Sequence, residues 1–267
     1  MLLPQWQPYR QLRHIRPAST LMLAVFLLGV MALTACAQTR HVTREGNVDK
    51  SGFLGTALYS KLAPGKEDNL DLAFHWRDTT ADYHRYTKVL VDPVLLYRQP
   101  QHVGGGNSNE NAQELINYLH AKLVEALAQY MTIVDKPDPE AVRFQVALTD
   151  YEATWVALDI VSTLHPVVRV VAEAKGLAVE KPSFVGAVEA ELKMSDSMTG
   201  KVLAAGIDRR VGGKTLSKGV SQWSDVHNAM DFWALQVAYR LCKTTGQPGC
   251  AKPTYGTLGT LKTEVEK

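Results

Sequence analysis

The chain has few of the residues that mark specialised protein classes. Among its 267 residues are three cysteines, aromatic residues make up 8% and charged residues 21%. So few cysteines exclude a disulfide scaffold, and a hydrophobic content of 46% excludes disorder throughout. A chain of this length is sufficient for one globular domain or two small ones.

Motifs that identify common enzymes and metalloproteins are also lacking. The eight histidines never recur at i, i+4 spacing, and no Gly-x-Ser-x-Gly sequence occurs. Gly104, Gly105 and Gly106 are not followed by the Lys-Ser or Lys-Thr of a phosphate-binding loop. Glu189 and Glu191 alternate along a predicted strand, on the side interpreted as facing solvent. We therefore predict no catalytic residue, no metal site and no cofactor.

The amino-terminal sequence has the features of a secretory signal. A segment with arginines and no acidic residue precedes an uninterrupted apolar run at residues 21–33. This run is shorter than the roughly 20 residues that a membrane-spanning helix requires, so it indicates a signal peptide. It ends in Leu-Thr-Ala-Cys, which resembles a bacterial lipobox and makes Cys36 the acylated first residue of the mature chain. The alternative is an ordinary buried or free cysteine.

The inferred leader changes the charge and the compartment of the protein. Residues 1–35 contain three arginines and no acidic residue, so positive and negative side chains nearly balance in the mature chain. A nucleic-acid partner, which requires a basic patch, is therefore excluded. Ala37, at the position where an aspartate would retain a lipoprotein at the inner membrane, points to the outer membrane, facing the periplasm. In this oxidising compartment Cys242 and Cys250 are predicted to form a disulfide, with two free thiols as the alternative.

Hydrophobic patterning predicts an α/β fold of the α+β-like type. Strands are predicted at residues 88–97, 132–135 and 142–149, a β-hairpin at about 186–211, and helices from about Glu110 to Met131 and from about 224 to 243. Pro93 is expected to bend or end the first of these strands. Short connections favour a single domain, with a mixed or antiparallel sheet and two main helices on one face.

We divide the chain into four parts. These are a lipoprotein signal peptide at 1–35, a lipidated tether and arm at 36–83, the α/β domain at 84–250, and a flexible tail at 251–267. The apolar residues of the arm show no sustained period, so they are expected to pack onto the domain rather than to form a second one. Residues 156–181 are interpreted as an insertion of unassigned shape.

Several blocks of sequence resemble one family in their order along the chain. They are Ser51–Gly55, Tyr59–Leu62, Lys88–Val94, Ala147–Asp150, Phe184–Gly186, Thr199–Leu203 and Asp208–Arg210. The chain resembles the bacterial lipoprotein family called domain of unknown function 3313 over nearly all of its mature length. The resemblance implies a secreted lipoprotein without an assigned activity, and it offers no catalytic residues to transfer.

Five residues are candidates for contacts with a partner: Trp76, Trp155, Trp223, Arg209 and Arg210. Core packing is the alternative for the tryptophans, and protection of an exposed strand edge by charge is the alternative for the arginines. Trp233, at helical spacing, is predicted to lie in the core.

We predict a non-enzymatic outer-membrane lipoprotein that serves as an accessory or scaffold protein of the cell envelope. It is held to the membrane by its lipid and contacts an envelope protein. The alternatives are a self-assembling subunit of an envelope or secretion complex, and a hydrolase whose site is scattered along the sequence. The oligomeric state is left open.

Overall fold

A mixed sheet organises the chain. The computed structural model describes residues 42–46, 48–66, 71–97, 108–152, 186–212, 223–255 and 261–265. Residues 39–267 form one compact unit. Cys36, Gly104–Gly106, Trp155 and the predicted insertion at 156–181 lie outside the described residues.

The large sheet contains nine of the described strands. They are β1 (Val42–Glu45), β2 (Ala63–Pro64), β3 (Phe74–Arg77), β4 (Lys88–Val91), β5 (Leu95–Leu96), β6 (Thr132–Val134), β7 (Ala141–Glu152), β8 (Ala187–Asp196) and β9 (Val202–Gly212). Their order across the sheet is β2-β3-β9-β8-β7-β4-β6, and β1 continues beside β9 as β5 continues beside β7. The pairs β4–β6, β4–β7 and β5–β7 are parallel, and the others are antiparallel.

Two long helices cover one face of this sheet. Helix α1 (Thr56–Tyr59) is short, whereas α2 (Ser108–Leu127) and α3 (Ser224–Thr245) pack against the buried side of β7 and β8. In α2 the leucines at every fourth position are buried, as an apolar stripe on one helix face requires: Leu115, Leu119, Leu123 and Leu127. Trp233 of α3 lies in the same core, as predicted. The predicted fold class, with two main helices on one face, is confirmed.

The amino-terminal arm covers the opposite face. Leu54 is buried against Ala205 and Ile207 of β9, and Phe53 and Leu58 pack around them. The prediction that the arm packs onto the domain is therefore confirmed. The boundary at residue 84 is not seen in the structure, because β1, β2 and β3 of the arm are strands of the main sheet. These strands span four residues or fewer, too few for a period to be recognised.

The predicted break at Pro93 is also present. Strand β4 ends at Val91, β5 begins at Leu95, and both pair with β7. Proline has no N–H to donate to a ladder, so the strand is interrupted where Pro93 lies.

The carboxyl-terminal segment contains structure where we predict a flexible tail. Strands β10 (Ala251–Tyr255) and β11 (Leu261–Val265) form a separate antiparallel pair. The Ala251 N–H donates to the Tyr130 hydroxyl at 3.0 Å. A disulfide joins Cys242 near the end of α3 to Cys250, with 5.7 Å between their Cα atoms. The predicted pairing of these cysteines is therefore present, and it connects the helix directly to β10.

Candidate functional site

Two carboxylates of β8 bind the backbone of the arm. The Ser51 N–H donates to Glu191 Oε1 at 2.8 Å, and the Asp49 N–H donates to Glu189 Oε2 at 3.3 Å. Residues two apart on a strand point to the same side, and here they meet N–H groups two apart on the arm. The Tyr59 hydroxyl donates to Glu191 Oε2 at 2.6 Å. We call Glu189, Glu191, Asp49, Ser51 and Tyr59 the arm seat.

The arm seat overturns our interpretation of Glu189 and Glu191 as solvent-facing charges. Their exposed fractions are 3% and 0%, because the arm lies over the strand face that alternation alone assigns to water. Burial raises the pKa of Glu189 to about 7, against the hydrogen bonds from Thr149 and the Asp49 N–H and the nearby charge of Arg209. Burial and the hydrogen bond to Glu191 also raise the pKa of Tyr59.

Arg209 holds a group of acidic side chains beside the arm seat. Its guanidinium contacts Asp150 at 2.9 Å, Glu152 at 3.3 Å and Glu189 at 3.9 Å, and its side chain is 14% exposed. Strand β9 is paired with β8 on one side and β1 on the other at this point. Protection of an exposed edge is therefore wrong as an explanation of Arg209. Its charge instead forms ion pairs with acidic side chains of the same sheet.

Arg210 lies on the helix side and is completely buried. Its Nε donates to Asp208 Oδ2 at 2.8 Å, and its guanidinium lies 4.1 Å from the ring centre of Phe232. Asp208 also accepts from the Trp233 indole at 2.7 Å and from the Ala73 N–H at 2.8 Å. The prediction of Arg210 as a partner contact is therefore wrong, since alternation along β9 directs this side chain into the core.

The described tryptophans differ in their exposure. Trp223 is buried, and its ring packs 5.6 Å from that of Tyr151, so its prediction as a surface contact is wrong and the core alternative holds. Trp76 on β3 is half-buried, with the Lys61 ammonium 4.6 Å from its ring centre. It lines a cleft between α3 and the sheet.

The cleft has a volume of about 310 Å³. Leu72, the end of β3, the middle of β8 and β9, and the last turns of α3 form its walls. Most of the wall is apolar and includes Phe144, Leu192, Met194 and Val237, while Arg77, Arg240 and Thr244 are among its polar groups. Its volume falls at the lower end of the range for small-molecule sites. No motif marks the cleft in the sequence, because its walls come from separate elements.

The part of the chain that the structure describes contains neither a metal site nor a membrane-spanning helix. There, no three His, Cys, Asp or Glu side chains come together as metal ligands. Nor does any helix there combine the length and hydropathy needed to cross a membrane. His227 stacks on Tyr118 with 4.3 Å between ring centres, and burial lowers the pKa of His227, which favours the neutral ring.

A family model described as "Protein of unknown function (DUF3313)" matches residues 49–237. Two curated proteins of Escherichia coli, from strains K12 and O157:H7, are both named uncharacterized lipoprotein YdcL. Each is 27% identical to this chain over 149 residues, which are 55% of this chain. The match spans 62% of the length of these relatives.

Similar solved structures are more distant. The PelC dodecamer from Paraburkholderia phytofirmans in space group P6 is 11% identical, with a TM-score of 0.33 over 61% of this chain and 94% of that one. Protein XCC0632 from Xanthomonas campestris is 7% identical, with a TM-score of 0.35 over 60% of this chain and 86% of that one. Scores this low do not support a functional comparison.

Proposed function

Because the chain belongs to the DUF3313 family of proteins of unknown function, and curated relatives are named lipoproteins, we propose that it is a lipid-anchored accessory protein of the cell envelope. Cys36 carries the lipid, and the domain faces the periplasm from the outer membrane. The protein acts without catalysis, through contacts with an envelope protein.

The arm seat is the observation that supports this proposal. A lipoprotein needs a mechanical connection between its lipid and its folded part. Here the chain that follows Cys36 enters the sheet as β1 and is then held by Glu189 and Glu191 through backbone N–H groups. Val42 follows Cys36 by six positions, a distance of at most roughly 20 Å in any conformation. A lipid on Cys36 therefore holds the sheet close to the bilayer.

The anchor is tested by fractionation of cells that produce the full chain. We expect the parent protein in the outer-membrane fraction. Cys36→Ala is expected to be absent from that fraction, because its acyl chains are missing. Ala37→Asp is the matched variant: it retains the lipid and is expected in the inner-membrane fraction. Retention of Cys36→Ala in the outer-membrane fraction, or mass spectrometry that finds an unmodified sulfur on the parent protein, contradicts the anchor. Unchanged outer-membrane location of Ala37→Asp contradicts the sorting.

The accessory role is tested by photocrosslinking in intact cells. Tyr97 is a suitable position for the crosslinker, since its side chain is 49% exposed beside Phe53 of the arm. We expect one reproducible envelope protein from this position and none from exposed Lys136. Capture of further copies of this chain alone would favour the self-assembling subunit. Turnover of an envelope substrate, lost on a single substitution, would favour the hydrolase.

A further inference from the structure

A smaller and more apolar cavity adjoins the cleft between α3 and the sheet. This second cavity, of about 20 Å³, shares Leu72, Phe144, Leu192 and Val237 with the cleft and continues towards α2. This inner cavity ends at Asp208 and Trp233, which already bind each other at 2.7 Å. Arg210 and the Ala73 N–H also bind Asp208. The inner end therefore offers hydrocarbon walls to a ligand, while its polar groups are engaged with one another.

The outer part of the cleft carries a positive charge. Arg240 is paired with Asp71 at 2.8 Å, whereas Arg77 makes its hydrogen bond to the neutral Thr244 hydroxyl at 3.4 Å. Asp78, the next residue along the chain, is paired with Lys201 at 2.8 Å. Among the residues that the structure describes, none places a carboxylate within ion-pairing distance of Arg77. Its exposed guanidinium is thus available to an anion from solution.

These two features together specify an amphiphile. The apolar wall of the cleft, with its volume of about 310 Å³, suits a hydrocarbon chain, because a polar group there would lose its hydrogen bonds to water. A guanidinium at the outer part suits a carboxylate, which it can bind through two parallel hydrogen bonds. A neutral hydrocarbon would make no ion pair with Arg77. A ligand with several negative charges would find no second unpaired cation on the described wall, since Arg240 is paired with Asp71.

We propose that the cleft binds a fatty acid, with its alkyl chain between α3 and the sheet and its carboxylate at Arg77. This site is separate from the arm seat, which lies on the other face of the sheet. It does not depend on the lipid at Cys36, so the two proposals can fail independently.

The test uses residues 39–267, the compact unit that contains every described element. Binding of fluorescent cis-parinarate is followed, and decanoate and 1-decanol are used as competitors below their aggregation concentrations. We expect saturable binding of one cis-parinarate per chain and displacement by decanoate. Failure of cis-parinarate to bind saturably, or of decanoate to displace it, overturns the proposal.

Filling the cleft tests where the alkyl chain lies. Ala204 of β9 lines the cleft and is half-buried, so Ala204→Phe places a ring in the space. We expect affinity for decanoate to fall at least about tenfold, whereas Ala121→Phe on the exposed side of α2 leaves it unchanged. Ala204→Leu, a smaller obstruction, is measured beside it, and near-ultraviolet circular dichroism identifies the variants that retain the fold. Unchanged affinity in a folded Ala204 variant overturns the proposal.

The charge at the outer part is tested by Arg77→Gln. We expect decanoate to bind about fivefold more weakly, since an exposed ion pair is lost, while 1-decanol binds as before. Lys136→Gln removes an exposed positive charge elsewhere and is expected to change neither affinity. An equal loss for the acid and the alcohol, or no loss for the acid, contradicts a carboxylate at Arg77.

Discussion

Glu189 and Glu191 show how one surface can change the chemistry of a side chain. Each is an ordinary strand residue on the face that a two-residue period assigns to solvent. The arm supplies N–H donors at the matching spacing, and both carboxylates become buried acceptors. The alternation along β8 predicts correctly which side chains share a face, but it cannot reveal that a distant segment covers the second face. The block Ser51–Gly55, noticed through the family resemblance, was the available signal.

The raised pKa of Glu189 predicts a stability that falls as the pH rises. With a pKa of about 7 in the folded protein and an ordinary value of 4.5, Glu189 retains its proton in the folded state while the unfolded state has lost it. Its contribution is complete below about pH 4.5, declines above it and is lost beyond about pH 7. The total is up to about 3 kcal/mol.

Glu189→Gln is therefore expected to flatten this decline in urea unfolding between pH 5 and 8. Glutamine retains an acceptor for the Asp49 N–H and can donate to the Thr149 hydroxyl. Glu264→Gln, an exposed carboxyl, is the control and should behave as the parent. A decline of the same size in Glu189→Gln would show that the pH dependence arises elsewhere.

Asp138 affects stability in the opposite direction. Hydrogen bonds from the Glu140 N–H and Lys88 lower its pKa, so its contribution to stability is lost as the pH falls.

The Tyr59 hydroxyl is expected to contribute to arm attachment. It donates to Glu191 and accepts from the Gly52 N–H at 2.7 Å. We expect Tyr59→Phe to lower the free energy of unfolding by about 1–2 kcal/mol, because the buried carboxylate of Glu191 loses a donor. Limited proteolysis should then cleave the arm sooner. Tyr97→Phe provides the comparison at an exposed tyrosine, and equal effects of the two changes would contradict this role.

At the scale of elements, length and continuity decide what can be predicted. Strands β7, β8 and β9 each contain ten or more residues, and α2 and α3 repeat their apolar positions over several turns. They were predicted correctly, as was the break at Pro93. Strand β2 has two residues and contains Pro64, so only its pairing with β3 makes it a strand. The hairpin of β10 and β11 likewise depends on pairing that local pattern does not reveal.

The cleft was also beyond prediction from local pattern. Trp76 was identified as a candidate contact, and it does line the cleft. Its neighbours Met194 and Val237 come from β8 and α3, which are distant from it in the sequence. An apolar residue that lines a cavity follows the same pattern as one that fills a core, so the pattern does not separate the two.

The disulfide stabilises the junction between α3 and β10. Helix α3 is followed by Gly246, whose φ of 76° is left-handed and costs glycine little. Cys250 then returns to Cys242 across eight positions. Loss of this disulfide, which closes a small loop, is expected to lower the free energy of unfolding by about 2–3 kcal/mol on the chain-entropy model.

This expectation is checked with a Cys242→Ala, Cys250→Ala double variant of residues 39–267 in urea. The parent protein under reducing conditions should approach the stability of the double variant, which should itself be insensitive to reductant. Equal stability of the oxidised parent and the variant would show that the bond adds nothing to the packing of α3.

For the whole molecule, each face of the sheet has a different role. The helix face forms the main core and contains the cleft, while the arm face carries the acidic side chains that receive the arm. The arm seat and the cleft are thus on opposite sides of β8 and β9. A ligand can enter without displacing the arm, and changes in the arm seat are expected to leave fatty-acid affinity unaltered.

The pairing of β1 with β9 has a mechanical consequence. Four residue pairs, from Val42 with Gly212 to Glu45 with Arg209, join the start of the arm to a central strand. Any tension applied through the amino terminus, as when a bound protein drifts away from the bilayer, reaches these pairs before it reaches the packed interior. We therefore expect these four backbone pairs to open before the packed core does when the chain is pulled from its amino terminus.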